Sequence, residues 1–315
     1  MRIFALSDAH IDYQANFVEL ETISPVDYQR DALILAGDLT DNCERLRAAL
    51  TSVRAKFAHV FFVPGNHELW VRRQEYAHSL DKFWRIVELC ESLDVRARPQ
   101  RVGTSGGERG VSIVPLFSWY VQPEEGADSL FVPKPGENPT LEMWSDKYFV
   151  RWPQNDGPMA HLFLRLNEAH LDHANDAPII SFSHFLPRRD LIFPTAAERQ
   201  RGEVDPPDRS PRFNFSRVAG CRSLDAQIRR LGSAVHVYGH QHRNRRRVVD
   251  GVLYVAHCLG YPGELERDPA RLLAPVWDTD NGTPAGSGVR AANAPPSSPG
   301  DAPGDDQRSD VRRGR

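Results

Sequence analysis

The sequence predicts an α/β domain whose sheet is covered by helices on both faces. Three observations lead there. Short apolar runs recur along the chain: RIFAL (2–6), ALILAG (32–37), VFFVPG (60–65), VSIVPL (111–116), PIISFS (178–183) and AVHVYG (234–239). Segments with apolar residues three and four apart lie between them. Polar residues collect where the runs end. Nearly continuous apolar runs read as strands buried on both faces, and strands alternating with helical stripes give this fold class.

The elements follow in order. MRIFALSDAH begins as a strand and turns polar by position 7. It lacks a basic stretch followed by a long apolar one, so it does not read as a signal peptide. In 43–57, Leu46, Leu50, Val53 and Phe57 form one apolar stripe. Asp41, with Glu44 three residues on, resembles a capping box at its start. Phe83, Ile86, Val87, Cys90 and Leu93 form a second stripe, Leu162 to Leu171 a third and Leu224 to Leu231 a short fourth. RRVVDGVLYVAH predicts a final hairpin with Asp250-Gly251 as its type I′ turn. Residues 120–158 break the pattern, being rich in proline and aromatic residues with little periodicity. They form an ordered excursion that covers a site, or a loop packing its own cluster. Residues 1–275 thus make one domain. From 276 the text turns to Pro, Gly, Ser, Ala and Asp, which cannot bury enough apolar surface to offset ordering entropy, so 276–315 reads as a disordered tail.

The chain has 315 residues, 40% of them hydrophobic and 26% charged, a globular composition. A core of that size needs no disulfides. The net charge of −3 gives no global electrostatic case for nucleic acid. Cys43, Cys90, Cys221 and Cys258 are scattered without a CxxC pair, which points to reduced thiols in a cytoplasmic protein. No apolar run is long enough to span a bilayer.

Ligands of α/β folds gather where strands end at their carboxyl side. RIFAL is followed by Ser7-Asp8-Ala9-His10, and ALILA by Gly37-Asp38. VFFVP is followed by Gly65-Asn66-His67-Glu68, PIISF by Ser183-His184, and AVHVY by Gly239-His240-Gln241-His242. Each residue alone has an ordinary explanation as a cap, a turn former or a surface group. Together they place oxygen and imidazole donors at one end of one sheet, three of them after a glycine that lets the backbone turn sharply. Such donors suit Mn, Fe or Zn. A carboxylate can bridge two cations, and a pair of cations clamps a transferring phosphoryl group. His240 and His242 can address two different ions from one turn.

The ordered set DAH, GD, GNHE, H and GHQH resembles the calcineurin-like metallophosphoesterase superfamily, over residues 1 to about 265. VPGNHELWVR, SWY, SHFLPR and LGYPGE resemble a plant and microbial branch of it. The resemblance implies a four-layer α/β/β/α sandwich of two mixed sheets, with two ions (Mn, Fe or Zn) at the carboxyl ends of the strands. It implies Asp8, His10 and His242 on the first ion and Asp38 bridging both. Asn66, His184 and His240 complete the second. His67 would donate a proton to the leaving oxygen. Asp41 would orient His67, or merely cap its helix. Relatives that dephosphorylate proteins carry an arginine where this chain has Asn42, which puts that activity in doubt. Arg188, Arg189 and Arg243 are candidate phosphate contacts.

The activity so implied is hydrolysis of a phosphoric ester by a metal-bridging hydroxide, on a phosphorylated small molecule or other ester substrate. The alternatives are a silent scaffold of the same fold and a nuclease-type phosphodiesterase. The latter rests on the run Arg243, Arg245, Arg246, Arg247, which otherwise reads as a solvated arm. His170 and His173 imitate a ligand pair but lie in a region that reads as solvent-facing.

Overall fold

The structure, a computed structural model, describes residues 1–72, 75–103, 110–154, 157–172, 177–202, 205, 210–265 and 272–284. In chain order the strands are β1 (Arg2–Leu6), β2 (Ala32–Leu35), β3 (His59–Phe62), β4 (Gln100–Val102), β5 (Val111–Pro115), β6 (Ile179–Phe182), β7 (Val235–Tyr238), β8 (Arg245–Val249), β9 (Val252–Ala256), β10 (Ala274–Asp278) and β11 (Thr283–Pro284). The helices are α1 (Gln14–Glu21), α2 (Cys43–Lys56), α3 (Ser79–Ser92), α4 (Asp146–Phe149), α5 (Met159–Leu171), α6 (Ala196–Gln200) and α7 (Ser223–Arg230).

Two mixed sheets form the middle of a four-layer α/β/β/α sandwich. One has the order β11-β10-β1-β2-β3, the other β4-β5-β6-β7-β9-β8. In the first, β1, β2 and β3 run parallel and β10 lies antiparallel to β1. In the second, β5, β6, β7 and β9 run parallel between the antiparallel edges β4 and β8.

Side chains alternate across a strand, and the second sheet shows why its runs are apolar throughout. Val111, Ile113, Ile180, Phe182, Val235, Val237, Leu253 and Val255 enter the large core shared with the first sheet. Their neighbours Val114, Ile179, Tyr238, Val252 and Tyr254 enter a second core with Leu224 and Ile228 of α7. Each face therefore has its own apolar cover. On the α7 side His236 is an exception. Ser181 Oγ and Ser183 Oγ satisfy its two ring nitrogens at 2.9 and 3.0 Å.

Several expectations need correction. Asn42, not Asp41, caps α2, its side chain accepting the Arg45 N–H at 3.0 Å. The Asp41 carboxylate is held elsewhere, by Arg72 Nε at 2.9 Å. Residues 276–284 are not a tail. β10 pairs with β1, matching Ile3 to Trp277, and Val276 and Trp277 are buried. The cause is the open edge of β1, which needs a partner that local composition does not advertise. The rest of the predicted tail, 285–315, lies outside the described residues. His170 is buried rather than solvent-facing, its Nδ1 2.8 Å from the Pro115 carbonyl under α5. His173 lies outside the described residues. The arginine run is not a solvated arm. Arg245 donates to the Leu191 carbonyl and Asp205, and Arg247 to Glu198 and the Phe193 carbonyl, bracing residues 190–202 and Asp205. The four cysteines are free thiols. Among the described residues no helix is long and apolar enough to cross a membrane.

Two outcomes follow from this packing. Trp277→Ala should lower stability by about 3–5 kcal/mol, as expected for truncating a buried tryptophan and read as a shift in denaturant midpoint; a tail residue would cost nothing. Burial lowers the His236 pKa to about 3, whereas the unfolded chain binds that proton below about 6.5. Stability is therefore lost as pH falls through that window. His236→Asn should flatten the acid slope between pH 6.5 and 5, measured as the difference in unfolding free energy at the two values.

Candidate metal centre

The two sheets are stitched together at the carboxyl end of β1. The Ser7 N–H donates to the His257 carbonyl at 2.8 Å, and the Leu259 N–H to the Ser7 carbonyl at 3.1 Å. This bridge sets the turn after β1 beside the segment after β9, and the His240 N–H in the turn after β7 donates to Asp8 Oδ1 at 2.9 Å. The turns after β2, β3 and β6 open at the same place. Asp8 N–H bonds the Gly37 carbonyl at 2.9 Å, His10 N–H the Asp38 carbonyl at 3.0 Å and Gly239 N–H the His184 carbonyl at 2.9 Å.

The backbone here is strained. Asp8, His10, Asp38, His240 and His242 have φ of 48°, 41°, 57°, 73° and 53°. Non-glycine residues seldom adopt this left-handed region, and such outliers persist where surroundings over-determine them. Glu68 supplies part of that determination. Its Oε2 accepts the N–H groups of Asp38 (2.8 Å) and Gly65 (2.7 Å), and its Oε1 those of Leu39 (2.7 Å) and Thr40 (2.9 Å). Burial and the nearby Asp38 charge push Glu68 up to about 7, against the pull of those donors. Two glycines are required by contact. A Cβ at Gly65 would lie 2.2 Å from Asp38 Oδ1, and one at Gly37 2.6 Å from His184 Nδ1.

The donor atoms converge in groups. Asp8, His10 and His242 form one, and Asp38, His184 and His240 another, each buried. Asp38 also groups with His10 and His67, so it stands between the two. Asn66 Oδ1 lies 3.1 Å from both His184 Nε2 and His240 Nδ1. The opposite ring nitrogens are held from behind, which fixes ring orientation. His184 Nδ1 is 2.9 Å from the Ala36 carbonyl, His240 Nε2 3.0 Å from the Val218 carbonyl and His242 Nδ1 2.6 Å from Glu264.

The donor chemistry fits cations. His10 Nε2 faces His242 Nε2 at 2.9 Å, and His240 Nδ1 faces His184 Nε2 at 3.2 Å. Two ring nitrogens so close need a proton or a metal between them. Burial would lower the His184 and His242 pKa values. Asp38 overrides it to raise His184 to about 9, and Asp8 with Glu264 raises His242 to about 10. The carboxylates thus demand positive charge here. Nitrogen and oxygen donors without cysteine suit Mn, Fe or Zn.

His67 stands beside these groups. Its backbone N–H donates to Asp38 Oδ1 at 2.9 Å, and its ring packs on Trp70 with centroids 3.7 Å apart. Its Nε2 lies 3.2 Å from Tyr261 Oη. The structure does not bring Asp41 to His67, because Arg72 holds that carboxylate. Nor does it bring Arg188 or Arg189 to the site. Arg188 is shared by Asp190, Asp225 and Asp250, and Arg189 donates to the Ser129 carbonyl. Of the three candidate phosphate contacts only Arg243 lines the cavity.

That cavity, about 570 Å³, opens over Asp38, Asn66, His67, His240 and His242. Val132, Pro133, Trp144, Phe193, Phe213 and Phe215 form an apolar wall. The 120–158 excursion therefore lines the site through Trp144, and its Trp152 packs edge-on against Trp119, which precedes it, at 5.0 Å. Sequence reasoning missed Glu68, Tyr261, Glu264 and Asp146. The phrases GNHE and LGYPGE held the first three in plain view; nothing local marks Asp146.

Comparisons with known proteins agree with this geometry. The profile of the calcineurin-like phosphoesterases matches residues 1–244. The acyl-carrier-protein phosphodiesterase PptH of Mycobacterium tuberculosis is 26% identical over 287 residues, covering 84% of this chain and 79% of that protein. The crystal structure of phosphopantetheinyl hydrolase (PptH) from Mycobacterium tuberculosis superposes with a TM-score of 0.67 at 24% identity, covering 87% of this chain and 95% of that one. This second likeness is one of fold.

Gly65→Ala tests the packing of the centre. The added methyl must displace the Asp38 carboxylate, so ion affinity should fall at least about tenfold while the far-ultraviolet circular dichroism is kept. Elemental analysis of dialysed protein measures it; wild-type metal content would show that the close approach is dispensable.

Proposed function

Because the chain belongs to the calcineurin-like phosphoesterase family, and is a metal-dependent phosphoesterase, we propose that it hydrolyses its ester at a two-ion centre with His67 as the proton donor. The observation that carries this reading is the pair of buried donor groups sharing Asp38. Asp8, His10 and His242 would hold one ion, Asn66, His184 and His240 the other, and Asp38 both. The ions, when bound, neutralise phosphoryl oxygens and lower the pKa of a bound water.

The remaining work falls to the chain itself. Trp70 behind the His67 ring and Tyr261 at its Nε2 keep that nitrogen at the cavity. From there it reaches the leaving oxygen, which departs faster as an alcohol than as an alkoxide. Burial lowers the His67 pKa, which favours release of its proton. Arg243, which lines the cavity with Lys134 and is held by the His242 carbonyl at 2.8 Å and Asp205 at 3.5 Å, would meet a phosphate oxygen with its remaining donors.

The apolar wall bears on the substrate. A bare phosphate monoester needs no such surface. A phosphodiester with a long, uncharged arm would bury that arm along Phe213, Phe215 and Val132. The linkage acted on by PptH, an acyl-carrier-protein phosphodiesterase, has that form, and we extend its class to this chain.

Three measurements check this. Ion-loaded protein should cleave a phosphopantetheinyl-serine diester with kcat/KM at least about tenfold above a bare alkyl monoester, the discrimination expected of an apolar pocket; equal values would discard the arm. His67→Ala should keep its metal and lose about 10²–10⁴-fold in turnover on esters with poor leaving groups, and much less on nitrophenyl esters. Asp38→Asn should lower the occupancy of both ions, and a wild-type stoichiometry of one would count against the two-ion centre.

A further inference from the structure

Asp146 lies in α4, inside the excursion, 80 residues from Asn66 in sequence, and is buried. Its carboxylate collects three donors. Oδ1 accepts from Asn66 Nδ2 at 2.9 Å and from Trp70 Nε1 at 2.6 Å; Oδ2 accepts from Trp144 Nε1 at 3.0 Å.

The identity of those donors matters. An indole nitrogen can only donate, and a carboxylate can only accept. The group facing Asn66 is therefore an acceptor, and the Asn66 amide must turn its NH₂ toward it. An amide is nearly symmetric in shape, so its partner decides which end points where. With NH₂ on Asp146, the Asn66 oxygen is left facing His184 Nε2 and His240 Nδ1. The reverse orientation would aim two N–H donors at the place where a cation needs an oxygen. The two indoles tie the same carboxylate to the rest of the site. Trp70 backs His67 at 3.7 Å. Trp144 stacks on Phe213 at 5.4 Å in the cavity wall and meets the His240 ring edge-on at 5.7 Å.

We propose that Asp146 is a positioning residue of the metal centre, one that sets the Asn66 amide oxygen toward the second ion and fixes Trp70 and Trp144 around it. This rests on the two-ion reading above. A residue that merely pinned the excursion would act through all its bonds alike. A residue that orients Asn66 acts on ion binding through that bond alone.

The test uses the full chain stripped of metal and titrated with Mn²⁺ alone by calorimetry. Asp146→Leu, similar in size and without an acceptor, should keep one ion at wild-type affinity and weaken the other at least about tenfold. Tyr148→Phe removes a different bond that pins the excursion, the hydroxyl to the Glu142 carbonyl at 3.1 Å, and leaves the Asn66 contact, so it should bind both ions as wild type does. Wild-type binding of both ions by Asp146→Leu would overturn the proposal. So would an equal loss in Tyr148→Phe. A second readout needs no metal. In protein labelled with ¹⁵N-asparagine, the Asn66 side-chain amide should exchange slowly with solvent in wild type and rapidly in Asp146→Leu. Should wild type bind a single ion, the two-ion reading fails on its own, and this exchange still decides the orientation: unchanged rates would overturn it.

Discussion

Four backbone N–H groups on one buried carboxylate hold this site together. Glu68 gathers Asp38, Leu39, Thr40 and Gly65, the amides of two successive strand ends. Without such an acceptor the left-handed turn at Asp38 would leave amides unpaired in a dry interior, each costing about 1–3 kcal/mol. With it, the turn is the best arrangement those peptides have. The strain at Asp38 and the reach of its side chain between two histidine groups are one geometric fact.

The same logic runs outward. A histidine can offer either ring nitrogen to a metal, and the choice is made behind it. His184 and His240 sit in the same donor group yet face it with different nitrogens, Nε2 and Nδ1. Their second nitrogens meet the Ala36 and Val218 carbonyls, which lie on different sides. His242 differs again, backed by the Glu264 carboxylate, which raises its basicity. The site is thus a shell of backbone and carboxylate acceptors turned inside out, with imidazoles carrying its polarity to the centre.

What could be read from the sequence divides along physical lines. β1, β2, β3, β5, β6 and β7 were legible because both faces of each are buried, leaving apolar runs. Asp8, Asp38, Asn66, His184, His240 and His242 were legible as a group because each follows such a run, and strand ends of one polarity must meet. Their convergence is geometry; their roles remain the proposal made above. The failures were contests between neighbours. Asp41 and Asn42 are both good caps, and only Arg72, distant in sequence, decides which is free to act. Arg188 looks available for phosphate until Asp190, Asp225 and Asp250 are folded around it. β10 sits where the text is already turning to proline and glycine, and its assignment needs the vacant edge of β1. Asp146 has no local signal, because its meaning lies in three donors drawn from one other segment and its own.

The pairing of β10 with β1 has a consequence for biosynthesis. Strand β1 emerges from the ribosome before its partner, and it carries the aspartate and histidine at its tip. Its outer edge waits, however, for a strand some 270 residues later, matching Arg2 to Asp278. A nascent chain therefore holds that edge open until β10 has also been made. So long a loop also makes closure slow relative to the helices. Loading of the cation pocket is on this account a late event, and any factor that shields the nascent edge would also govern when metal is acquired.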